Sequence, residues 1–297
     1  MQEIRVAVRS GAGACAIADC RCWSDACADS LFCRDRTETR GRMLNTDPRT
    51  HAASLPKSAV LVPHSAAPWI GFAALLSLAL FAIDTWWPQF GWIARPLVWL
   101  GTLFHELGHG IAAIVLGGEL VQLAVYPDGS GVAMHRGAYS QFERALIAAA
   151  GPLGAPLAGL AFFLALGHRY AARLLLAALA AFLVLALLLW VRNLFALGFV
   201  LALVLGLVLV AWRGNDRVVL ALTAFVAVEM SLSAFTRVDY LFSSGALTGA
   251  GSLPSDTQQI ADTLGLPYWF WGGLLALLSV VTVAVGLWIS GRKSSSG

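Results

Sequence analysis

Long runs of apolar residues, separated by short polar breaks, dominate the chain after about residue 66. Since a helix rises 1.5 Å per residue, about 20 apolar residues span the hydrocarbon core of a bilayer. Seven segments have this length and composition: residues 69–87, 97–117, 144–166, 172–191, 194–212, 217–235 and 268–289. The pattern predicts an all-α polytopic membrane protein with about seven transmembrane helices.

Two connections between these segments are long enough to contain structure of their own. Residues 118–143 alternate apolar and polar positions around Asp128-Gly129, which is typical of a β-hairpin. Residues 236–267 are polar and glycine-rich, and a helical pattern begins at Pro254. We therefore expect a small membrane-associated β-hairpin between the second and third helices.

The composition supports a membrane protein and excludes several other classes. Of the 297 residues, 58% are hydrophobic and 12% are charged, whereas a soluble domain has about 25% charged residues. The net charge of +3 is small and no long basic run is present, so we expect no nucleic-acid partner. The lipid bilayer is the expected surrounding.

The amino-terminal part differs in composition from the rest. All five cysteines lie in the first 33 residues, and an odd, crowded set is a poor disulfide framework. We expect residues 1–65 to form a disordered leader, followed by a membrane-embedded domain over 66–291 and a short polar tail over 292–297. Met43 is a plausible start of its own, so residues 1–42 are a candidate for an over-extended reading frame.

Two histidines and a glutamate interrupt the second apolar segment, in "LFHELGHGIAA" (residues 103–113). His105 and His109 are four residues apart, so a helix presents both imidazoles on one face. Zn²⁺ accepts neutral imidazole and leaves a position open for water. Glu106 points to the edge of the same site, where this motif uses its glutamate as a general base. Because ionisable groups within membrane segments are rare and usually functional, the motif predicts a zinc site.

From this point the sequence resembles a known family. "FHELGHGIAAIVLGGEL", the expected hairpin and then Ala150-Gly151-Pro152-Leu153 are similar to the site-2-protease type of intramembrane zinc metalloprotease. The layout is closer still to a bacterial branch of that group, the M50B-like membrane proteins. The pairs that carry this likeness are Arg192-Asn193 in a late hairpin and Ser255-Asp256 before the last helix. The resemblance covers about residues 69–290.

The resemblance implies a function and a set of roles. It implies one Zn²⁺ per chain, a membrane protein as substrate and a location in the bacterial inner membrane. It implies hydrolysis of peptide bonds in or near a transmembrane segment, with Glu106 as the catalytic base. It also implies that residues 119–134 hold an extended substrate strand and that Gly151 and Pro152 support the site. Arg192 and Asn193 are candidates to donate hydrogen bonds to a substrate backbone or an oxyanion, and the alternative is a polar hairpin turn in which the Arg192 side chain extends to the membrane interface.

The sequence also departs from the family pattern. Ala155 stands where the family has an asparagine, and Asn193 is followed by neither the proline nor the aspartate of the family's later motif. That aspartate is the family's third zinc ligand. A non-proteolytic metal-binding scaffold or a transporter that retains the fold is therefore the alternative interpretation.

The third zinc ligand is not determined by the sequence. Three protein ligands and a water are usual for catalytic zinc. We favour Asp256, with Glu229 and Asp239 as alternatives. Ser255 and Gln258 also match a helix-capping pattern, in which Asp256 would only interact with the helix dipole, so ligand and cap both stay open for this residue.

Overall fold

The computed structural model describes residues 4–9, 15–21, 32–34, 66–236 and 238–295. The chain divides into two compact units, residues 1–61 and 62–297. In the first, strands β1 (Ile4–Arg9), β2 (Cys15–Arg21) and β3 (Phe32–Arg34) form an antiparallel sheet in that order. The rest of the leader lies outside the described residues, so the expected disorder of residues 1–65 and the alternative start at Met43 remain predictions.

The second unit is a helical membrane domain with two small β-hairpins. Its helices are α1 (Ala67–Trp86), α2 (Arg95–Val115), α3 (Gln141–Ala165), α4 (Arg169–Leu189), α5 (Leu194–Arg213), α6 (Asp216–Thr236), α7 (Val238–Leu241), α8 (Asp256–Leu264) and α9 (Tyr268–Ser295). The strands are β4 (Glu119–Val125), β5 (Gly131–Arg136), β6 (Gly245–Thr248) and β7 (Gly251–Pro254). A 3-10 segment, Pro88–Ile93, connects the first two helices.

The helices confirm the predicted polytopic fold. Six of those in the described ranges, namely α1 to α5 and α9, are long and apolar enough to cross a membrane. The 21-residue α6 covers the remaining predicted segment, 217–235. Helix α3 is central, since it packs against α2, α6, α8 and α9. Ser140 caps its start in a complete capping box with Glu143, which fixes where the helix begins after the hairpin.

Helices α2 and α3 approach each other closely because glycines face each other. A Cβ on Gly108 would lie 2.2 Å from the carbonyl oxygen of Ala150, and one on Gly154 would lie 3.1 Å from the Cα of Gly108. Small residues allow helix backbones in a membrane to come this close. The His-Glu-x-x-His turn of α2 is thereby pressed directly against the Gly151-Pro152 turn of α3.

The predicted hairpin around Asp128-Gly129 is confirmed as the antiparallel pair β4–β5, with Glu119 opposite Arg136 and Val125 opposite Gly131. Thr102 of α2 donates a hydrogen bond to the Gly129 carbonyl at 2.6 Å, which fixes the turn to the helix. The other edge of β4 is covered by the α4–α5 turn, because the Leu123 N–H donates to the Trp190 carbonyl at 2.8 Å. In the described part of the chain, β5 pairs with β4 alone.

A second hairpin, which the sequence pattern did not predict, precedes α8. Strands β6 and β7 pair antiparallel with Gly245 opposite Pro254. The tips of the two hairpins meet, since the Gly249 N–H donates to the Ser130 hydroxyl at 2.9 Å. The chain then enters α8 at Ser255, whose hydroxyl accepts a hydrogen bond from the Gln258 N–H.

Candidate metal centre

Three side chains from two distant parts of the chain converge beside α3. The ligand atoms of His105, His109 and Asp256 all lie within 4.8 Å of one another, and they are the one such group found in the described ranges. Nε2 of His105 lies 2.9 Å from Oδ2 of Asp256, and Nε2 of His109 lies 3.2 Å from Oδ1. The two Nε2 atoms are 3.2 Å apart.

The hydrogen bond of His109 fixes which of its ring nitrogens faces the cluster as an acceptor. Nδ1 lies 2.7 Å from the carbonyl oxygen of Ile147, and a carbonyl only accepts, so Nδ1 carries the proton. In a neutral ring Nε2 then holds a lone pair. Metal-binding histidines are commonly oriented by such a second hydrogen bond.

Pro152 and Pro156 both lie inside α3. A proline within a helix removes the backbone hydrogen bond to the carbonyl four residues earlier, which for Pro152 is the carbonyl of Ala148.

Asp256 is held in place by its neighbours at the start of α8. Ser255 and Thr257 are fully buried, and the Ser255 hydroxyl donates to the Ser243 carbonyl at 2.5 Å. Ser255 is the residue that caps the helix, so the Asp256 side chain is left to face the imidazoles.

Asp256 has the charge state that a ligand needs. Burial alone would raise the pKa of its carboxyl group, but the adjacent His109 and His105 lower that pKa below its ordinary range. Oδ2 is buried and, despite its 2.9 Å approach to His105, forms no aligned hydrogen bond among the described residues.

This donor set fits a zinc ion. Bonds of 2.0–2.2 Å in a tetrahedral shell place the donor atoms about 3.3 Å apart, close to the separations of 2.9 and 3.2 Å observed here. Two imidazoles and one carboxylate are also ligand types that zinc accepts, with a fourth position left for water. A cation offsets the repulsion between lone pairs brought this close.

Glu106 is buried, with 7% of its surface exposed, and its side chain lies against strand β5 of the first hairpin. A Cβ on Gly131 of β5 would lie 2.9 Å from Oε1 of Glu106. The glycine therefore lets β5 pass directly beside this carboxylate.

Tyr240 is a residue of the site that the sequence did not indicate. Its hydroxyl accepts a hydrogen bond from the Asp256 N–H at 3.2 Å, and its ring centroid lies 5.8 Å from that of His105. Burial, and next the charge of Asp256, raise the pKa of this hydroxyl, so the hydroxyl keeps its proton.

Tyr240 also lines a small cavity beside His105. The other residues of the cavity wall are Gly101, Pro152, Ala155, Ser233 and Leu241. A tyrosine in a polar segment carries no local pattern that would have predicted this.

The other residues predicted for the site have different surroundings. The Arg192 guanidinium donates to the carbonyls of Leu188, Leu189 and Val191 at the end of α4. The Asn193 amide donates to the Val125 carbonyl at the end of β4, at 2.6 Å. Neither contact involves the three clustered side chains.

The two alternative carboxylates lie outside the cluster. Glu229 is buried in α6, and Asp239 is exposed in α7. The geometry therefore favours Asp256 over both as the third donor.

Gly151 is required because α3 contacts the ligand atoms themselves. A Cβ at this position would lie 2.2 Å from Nε2 of His109 and 2.9 Å from Nε2 of His105. We expect Gly151→Ala to displace both rings and to weaken metal binding on the order of 100-fold, the upper range for losing an orienting partner. Chelator competition on the purified protein measures this.

Gly198→Ala is the matched control for that experiment. A Cβ on Gly198 of α5 would meet nothing within 4 Å, so the same substitution there should leave metal affinity unchanged. Equal affinities for the two variants would show that α3 does not constrain the imidazoles.

A largely buried group of two histidines and a carboxylate within a bundle of apolar helices defines the class: a membrane protein with a candidate metal centre. The family model described as Peptidase M50B-like matches residues 73–286, and the chain belongs to that family. The resemblance to site-2-protease-type enzymes is thereby confirmed, and membrane metalloprotease activity in general follows from it. No curated protein and no solved structure matches the chain.

Proposed function

We propose that the protein is a zinc metalloendopeptidase of the site-2-protease type, which hydrolyses peptide bonds in or near a transmembrane segment of another membrane protein. The observation that carries the proposal is the convergence of His105, His109 and Asp256 in one cluster, in which Asp256 is buried and His105 is partly exposed. We assign one Zn²⁺ per chain to these ligands, and the bacterial inner membrane as the location.

Glu106 is assigned the proton transfers of the reaction. When bound, zinc supplies a water of lowered pKa and polarises the carbonyl under attack. Glu106 takes a proton as the water oxygen bonds to the carbonyl carbon. The C–N bond then breaks, and Glu106 passes the proton to the leaving nitrogen, so that a carboxylic acid and an amine are formed.

The substrate must present an extended backbone, because a regular helix engages its own carbonyls in hydrogen bonds. Within the predicted range 119–134, the outer edge of β5 is the better place for a substrate strand. The outer edge of β4 is already paired, because the Leu123 N–H donates to the Trp190 carbonyl. A strand added to β5 would pass beside Gly131, and therefore beside Glu106.

Arg192 and Asn193 are assigned a supporting role in this arrangement. Asn193 ties the α4–α5 turn to Val125, and its Oδ1 is buried with no hydrogen-bond partner among the described residues. Arg192 donates to the carbonyls of Leu188 and Leu189 at the end of α4. Asn193 therefore fastens the turn to β4 and Arg192 closes the end of α4, which leaves β5 as the edge for substrate.

Metal analysis tests the proposed centre. We expect the full-length protein, purified in detergent, to contain about one zinc per chain, because catalytic zinc sites of this type bind a single ion through three protein ligands. The double variant His105→Ala/His109→Ala should contain none, since a lone carboxylate cannot hold the ion. Elemental analysis of both samples measures this, and equal zinc in the two would place the metal elsewhere.

Cleavage mapping tests the proposed activity. The protein is reconstituted in vesicles with candidate single-span membrane proteins, and the products are sequenced by mass spectrometry with and without a zinc chelator. Chelator-sensitive cuts inside or next to the spanning segment are expected. Cuts confined to soluble domains would overturn the intramembrane assignment.

A further inference from the structure

A long apolar groove runs between α4 and α5, away from the residues of the metal centre. Its walls are formed by Tyr170, Leu174, Ala177, Ala180, Ala181 and Val184 of α4 with Val208, Ala211 and Trp212 of α5. The groove has a volume of about 600 Å³. Four of its ten lining residues are alanines, which we call the alanine floor, and their short side chains leave space for a hydrocarbon chain between the larger residues.

One end of this groove is basic. We call Arg169, Arg173 and Arg213 the basic rim. Arg173 itself lines the groove and donates to the carbonyls of Ala211 and Gly214 at 2.6 and 2.9 Å. It therefore closes that end and joins α4 to the α5–α6 turn.

The basic rim carries more positive charge than the protein neutralises. Asp216 pairs with Arg169 at 2.9 Å and with Arg173 at 3.2 Å. Among the described residues, Arg213 has no carboxylate partner. Three arginines with one aspartate leave an excess positive charge that a negatively charged group can balance.

Two aromatic residues flank the mouth of the groove in matching positions. The guanidinium of Arg169 lies over the Tyr170 ring at 5.0 Å, and that of Arg213 lies over the Trp212 ring at 5.8 Å. Tyr170 belongs to one wall and Trp212 to the other. Tyrosine and tryptophan favour the level of the lipid headgroups, so the cations lie where a lipid phosphate would lie.

We propose that the groove is a binding site for one anionic phospholipid. Its acyl chain lies on the alanine floor, and its phosphate lies between Arg169 and Arg213. Arginine binds phosphate through two parallel hydrogen bonds, and basic pockets between membrane helices select anionic headgroups. A zwitterionic lipid fills the same groove but leaves the excess charge of the basic rim unbalanced.

Native mass spectrometry of the full-length protein in detergent tests the proposal. The probes are phosphatidylglycerol and phosphatidylcholine with identical acyl chains. We expect one phosphatidylglycerol to be retained on the order of tenfold more tightly than phosphatidylcholine. Equal retention of the two lipids would show that the charge is not recognised and would overturn the proposal.

Two variants localise the site. Arg169→Gln/Arg213→Gln should reduce phosphatidylglycerol retention to the level of phosphatidylcholine, whereas Arg95→Gln, an exposed arginine at another helix end, should not. Ala177→Leu/Ala181→Leu fills the groove and should weaken retention of both lipids. The exposed neighbour Ala178, which does not line the groove, provides the control Ala178→Leu.

A substrate helix is the competing occupant of this groove. If the groove-filling variant retains both lipids but no longer cleaves a membrane substrate, the groove binds that helix and the lipid proposal is wrong. The lipid measurement does not depend on proteolysis, so the failure of one proposal is distinguishable from the failure of the other.

Discussion

Glu106→Gln is expected to keep its metal and lose its turnover. The substitution leaves His105, His109 and Asp256 unchanged and keeps the shape of the side chain, but the amide cannot accept a proton from water. Loss of a general base costs about 10²–10⁴-fold in rate. Cleavage of a validated membrane substrate, measured beside zinc content, gives both quantities on one preparation.

Glu119→Gln is the control for this variant. Glu119 lies on the same hairpin and pairs with Arg136 at 2.9 Å, with both side chains largely exposed. Removing the charge of Glu119 tests whether the loss of any carboxylate near the hairpin lowers the rate of substrate cleavage. Full activity of Glu106→Gln would refute the proposed mechanism, and loss of zinc from it would show that Glu106 supports the metal.

The positions of the membrane helices could be predicted from the sequence, because each is a continuous apolar run of sufficient length. The first hairpin was predictable too, since Asp128-Gly129 forms its turn between alternating strands. The β6–β7 hairpin was not. Its strands have four residues each and contain glycine and serine, so no alternating pattern is long enough to distinguish them from a loop.

The candidate site also has a part that the sequence predicts and a part that it does not. His105 and His109 could be placed on one helix face from the sequence, because that placement depends only on their spacing along a helix. The contact of Gly151 with both rings depends on how α2 and α3 cross, and the position of Tyr240 depends on where α7 lies in the fold. Neither is encoded in a short pattern.

Asp256 was favoured from the sequence but could not be separated from a capping residue. The choice depended on the direction of one side chain at the first position of α8. The structure separates the two roles: Ser255 accepts the hydrogen bond from Gln258, and Asp256 faces the imidazoles. A pattern of residue types contains no such direction.

Asp256→Asn is expected to weaken zinc binding by more than about 100-fold, beyond the loss typical of an orienting neighbour. A neutral amide oxygen replaces a charged ligand, and no other carboxylate in the described ranges belongs to the cluster. The fold should persist, because Ser255 still caps α8 and asparagine is tolerated at a helix start. Chelator competition gives the affinity, and the thermal unfolding midpoint in detergent checks the fold.

Asp262→Asn makes the same chemical change on the same helix without touching the imidazoles. Asp262 accepts a hydrogen bond from the Gln258 side chain at 2.7 Å in an exposed position, so its variant should bind zinc as the wild type does. If Asp256→Asn also kept full affinity, Asp256 would be no more than a helix-start residue. The ligand assignment would then pass to Glu229 or Asp239, and Glu229→Gln would be the next variant to measure, because Glu229 is the buried one of the two.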